Sequence, residues 1–135
     1  MRRLSAAFFS VTLLAGPALA ESPDTNVLRM LDQVMIIRSV AAKCTPPNQA
    51  SAIAFQRRYQ DVATQAQTAL KALASDLTQA HIESVMAEHY DEIDRRVAAV
   101  VAQESCDGPH IKEALQKYDG IVKAVMTPQV ANKAD

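Results

Sequence analysis

The chain has 135 residues, 49% of them hydrophobic, with 14 basic and 15 acidic side chains, two cysteines and no tryptophan. That is enough for one globular domain and too little for two ordinary ones. A formal net charge of −1 and only 4% aromatic residues argue against a nucleic-acid surface, which needs a basic stripe, and leave little for base-stacking platforms or aromatic sugar subsites.

Arg2 and Arg3 open the chain, followed by an apolar run from Leu4 to Ala15 interrupted only by Ser5, Ser10 and Thr12, then Gly16-Pro17 and the triplet Ala18-Leu19-Ala20. A positive start, an apolar stretch of about 12 residues and a small-residue site form a secretory signal pattern, and the stretch is too short to span a bilayer as a helix. Residues 1–20 are therefore expected to be a signal peptide cleaved between Ala20 and Glu21, leaving a periplasmic or secreted product with no transmembrane segment. Removing two basic and no acidic residues takes the net charge to −3 and further disfavours a nucleic-acid partner.

The spacing of large apolar residues predicts helices from here on. The first runs from Asp24 to Lys43, with Val27, Leu31, Val34, Ile37 and Ala41 on one face and Ser22-Pro23 as cap and first-turn proline. It must end before Pro46-Pro47. The second, Gln49 to Ala74, stripes Phe55, Tyr59, Val62, Ala66, Ala69, Leu70 and Leu73.

The third, Thr78 to Glu104, stripes Ile82, Val85, Met86, His89, Ile93, Val97, Val100 and Val101, with Asp91/Arg95 and Glu92/Arg96 as acid-before-base pairs four apart. Asp107-Gly108-Pro109 breaks the chain. A fourth helix, Pro109 to Met126, uses Ile111, Leu115, Tyr118, Val122 and Val125. Residues 21–127 are thus expected to form the helical domain and 128–135 a loose tail.

The boundary at Ser75-Asp76-Leu77-Thr78 contains neither glycine nor proline. One unbroken helix over 48–104 would be a rod of about 85 Å with Cys44 and Cys106 at its two ends. A disulfide needs the two Cα atoms within about 7 Å, and an exported chain with two cysteines most simply pairs them. A turn at Ser75 to Thr78, where three residues are good N-caps, brings both cysteines to one pole. The expected fold is an all-α, up-down-up-down four-helix bundle with a Cys44–Cys106 bond.

Chemistry is sparse on this scaffold. C-x-x-C-H haem attachment is absent, as are a G-x-S-x-G elbow, a glycine-rich phosphate loop and a nucleophile set beside a histidine. Non-covalent haem or metal binding would draw on His89 and Met86, with Met30, Met35 and Met126 as further core methionines. The plainer reading is a hydrogen-bonded histidine at an interface edge with methionine as filler.

The acidic residues Glu83, Glu88, Asp91, Glu92 and Asp94, with His81 nearby, lack E-x-x-H or H-E-x-x-H spacing and fit a solvated face. The sequence therefore assigns no catalytic residue, metal or cofactor. Subtraction leaves an exported, non-enzymatic bundle that binds a macromolecular partner in the cell envelope, in an accessory, adaptor or immunity-type role. The alternatives are a haem- or metal-binding bundle and a small-molecule-binding or hydrolytic protein.

Overall fold

A computed structural model describes residues 22–127. The signal segment 1–20, its cleavage point between Ala20 and Glu21, and the tail 128–135 lie outside the described residues. Within them the chain forms four α-helices: α1 Pro23–Cys44, α2 Gln49–Leu73, α3 Gln79–Glu104 and α4 Pro109–Met126.

Local chemistry sets these boundaries. Ser22, Asn48 and Thr78 each accept a hydrogen bond from a backbone N–H three residues on, at 3.3, 3.0 and 3.2 Å, satisfying donors that a helix start leaves open. Prolines occupy the first turns of α1 and α4, where a missing N–H costs no bond. The boundary without glycine or proline is a real break: Ala74 leaves helical geometry and Thr78 starts α3.

A disulfide joins Cys44, the last residue of α1, to Cys106, just past α3, with a Cα separation of 5.5 Å. α1 and α3 therefore run parallel, with α2 and α4 opposed to them, and the fold is a small four-helix bundle. Ser105 turns the chain between α3 and Cys106 at φ 61°, in the left-handed region that favours glycine. That turn brings Cys106 back toward α1.

The four helices do not share the core equally. α1 packs against all three others and α2 against α4, whereas α3 meets α2 and α4 only sparsely. The reason lies in α1 itself, which buries Met35 and Val40 as well as Leu31, Val34, Ile37 and Ala41 of the expected stripe, whose Val27 is partly buried. With apolar groups on more than one face, α1 must be covered from several sides. Leu73, at the end of α2, and Val85, on α3, both expected on buried stripes, are exposed, and α2 and α3 scarcely touch.

Polar contacts bind α3 to α1. Ser39 is fully buried in α1 and donates its hydroxyl to Asp94 Oδ1 at 2.6 Å, which a hydroxyl removed from water requires. Lys43 closes an ion pair with the same carboxylate. Arg38 is half-buried and places its guanidinium 4.6 Å from the Tyr59 ring centroid on α2 and 5.2 Å from that of Tyr90 on α3. One cation thus bridges two helices with few direct contacts of their own.

The hydrogen bonds from Lys43 and then Ser39 pull the Asp94 carboxyl below its ordinary value of 3.8. A group lowered in the folded state contributes stability that is complete above its unfolded value and lost as pH falls through the folded one. Asp94→Asn is therefore expected to lower the melting temperature at pH 7 and to flatten the loss of stability as pH falls below about 4. Superimposable acid limbs for wild type and variant in thermal melts would contradict this.

Candidate functional site

His89 is half-exposed, and its Nε2 lies 2.6 Å from Asp32 Oδ1 on α1, so its polar partner is a carboxylate across the α1–α3 seam. Met86, one turn earlier on α3, packs against the core. Met35 is buried, Met30 is partly buried beside Arg58, and Met126 is exposed. These methionines are dispersed over α1, α3 and α4.

The acidic residues of α3 sit in local pairs along its wet side. Glu83 accepts from Gln79, Glu88 from Ser84, and Glu92 pairs with Arg96. Arg95 donates instead to the backbone carbonyl of Asp91, in place of the expected carboxylate pair. His81 is exposed at the start of α3. Among the described residues no three His, Cys, Asp or Glu side chains are grouped to hold a metal ion.

A groove arises from the sparse packing of α3 on α4. Between them α1 is left partly uncovered, forming a groove of about 430 Å³. Its walls are aliphatic, with Ile36 and Val40 from α1, Ile93, Val97 and Val100 from α3, and Ile111 and Ala114 from α4. Ile36 is 41% exposed although it is a large aliphatic side chain on the central helix. Polar groups are confined to Arg96, Glu104 and His110.

The end of the groove nearest the disulfide has its own logic. Gly108 caps α4 without a side chain, and a Cβ there would stand 2.4 Å from Glu104 Cβ and 2.6 Å from Glu104 Oε2. Glycine is what admits the Glu104 side chain, placing a carboxylate at the positive end of the α4 dipole where a capping side chain would otherwise sit. One Glu104 oxygen lies 2.7 Å from His110 Nδ1, while the other is buried without a hydrogen-bond partner. The lining holds no nucleophile beside a base; it is aliphatic apart from Arg96, Glu104 and His110.

Sequence periodicity missed this groove. One signal was present: in the run Met35-Ile36-Ile37 no single helix face can bury all three residues, so one of them must point away from any one neighbour. No protein family, curated protein or solved structure matches this chain, so its site is argued from its own residues. Among the described residues no helix is long and apolar enough to cross a membrane.

Proposed function

We propose that this chain is an exported, non-enzymatic helical bundle that acts in the cell envelope by binding a protein partner through the groove between α1, α3 and α4. One observation carries the proposal: a groove between α3 and α4 in which Ile36 is exposed and Val100 partly exposed beside the buried Val40, Ile93, Val97, Ile111 and Ala114. An apolar groove that leaves a large aliphatic side chain exposed is a common form of protein contact site. The signal pattern of residues 1–20 and the disulfide both suit an oxidising compartment outside the cytoplasm.

The test is site-specific photo-crosslinking in cells. A photoreactive residue placed at position 36 is expected to trap a discrete envelope protein, whereas the same residue at position 57, on the exposed side of α2, traps none. Introducing Val100→Glu on the groove wall should abolish the adduct formed at position 36. Absence of a product specific to position 36, or the same products from both positions, overturns the proposal.

A further inference from the structure

A second cleft lies away from the disulfide pole, lined by residues of α1, α2 and α4. Its volume is about 700 Å³, within the range of small-molecule sites, roughly 300–1,000 Å³. Val34 and Ile37 from α1 and Ile121 and Val125 from α4 give it an aliphatic floor. Two residues on its walls have no explanation in the packing of the chain.

The first is Arg58. It is half-buried, and its guanidinium reaches only the Met30 sulfur, at 3.7 Å. A thioether is a weak acceptor and leaves the donors of a guanidinium free for a stronger one. Among the described residues none forms an ion pair with it; Asp61, which lines the same cleft, is exposed and unpaired with it.

The second is Gly120, in the interior of α4, where glycine is the least favourable residue after proline. Its backbone does not need glycine, since no positive φ occurs there, and a Cβ would meet nothing within 4 Å. Gly120 is exposed, and the absent side chain relieves no contact inside the protein. It leaves open space in the wall of the cleft that also holds Arg58.

We infer that this cleft binds a long-chain aliphatic carboxylate. The hydrocarbon lies on the aliphatic floor and across Gly120, and the carboxylate takes the fork of the Arg58 guanidinium, whose two parallel N–H groups match its geometry. Lys117 on the rim adds a second positive charge. Its pair with Glu113, at 2.7 Å, is exposed at both ends and so holds it weakly. Two cations against the single carboxylate of Asp61 make the lining net positive in a chain of net charge −1. The inference is independent of the protein-partner proposal, because it concerns a different cleft.

Fluorescence titration of the purified, disulfide-bonded protein with cis-parinaric acid tests it. Saturable enhancement is expected. Arg58→Gln should weaken binding by about tenfold or more, the scale of a hydrogen bond to a charged group. The corresponding parinaryl alcohol should bind wild type and Arg58→Gln alike. Gly120→Leu and Ala124→Leu, which add bulk to the same wall, should each abolish binding of both probes; should one of them fail to fold by circular dichroism, the other decides. No saturable binding, unchanged affinity in every variant, or loss caused by Ile36→Glu in the other groove overturns the inference.

Discussion

Cys44→Ser is expected to destabilise the fold by about 4 kcal/mol, because the bond it removes closes a long loop in the unfolded chain. The two cysteines are 62 residues apart, so the cross-link withdraws many unfolded conformations while joining backbones that already lie 5.5 Å apart at the Cα atoms. For a domain of this size the loss corresponds to a fall in melting temperature of roughly 15–30 °C. Helicity should persist at low temperature, since α1, α2 and α4 pack against one another independently of the bond and α3 keeps its contacts to α1 through Ser39, Asp94 and Lys43. Cys106→Ser and chemical reduction should match Cys44→Ser, and the double variant should add nothing further. A melting temperature indifferent to reductant would contradict the role assigned to the bond.

Phe55→Ala should cost about 3–5 kcal/mol, the range for removing a large aromatic side chain from a packed interior. Phe55 is 3% exposed on α2, and its ring centroid stands 5.0 Å from that of Tyr118 on α4 at a 32° tilt. The substitution therefore leaves a cavity in the α2–α4 seam and removes an aromatic pair worth about 0.5–1.5 kcal/mol beyond its buried area. Denaturation by urea should show a lower midpoint at unchanged slope. A double-mutant cycle of Phe55→Leu with Tyr118→Leu should return a coupling of that same size. Additive single effects would show that the rings touch without interacting, and a loss under about 1 kcal/mol for Phe55→Ala would contradict a filled seam.

Much of the bundle was legible in the chain because its signals are local. Ser22 and Thr78 cap the helices they precede, and prolines and Gly108 punctuate the turns. The turn between α2 and α3 carried only the cap residues as a local signal, and the geometry of Cys44 and Cys106 was the reason to choose it over a continuous rod. The candidate site was far less legible. His89 shares a helix face with apolar residues, yet its partner Asp32 lies 57 positions away in sequence, and no periodicity links the two.

Sequence alone indicated four helices, their limits to within a residue, and a cysteine pair whose joining within one chain would set their directions, because capping, proline geometry and disulfide reach act over short range or through covalent bonds. Tertiary structure decided that α1 sits at the centre, that α3 rests on α1 while scarcely meeting α4, and that Ile36 faces an open groove. An apolar stripe records which residues leave water. Which neighbour covers them, and where coverage stops, depends on how the side chains of all four helices interdigitate at once.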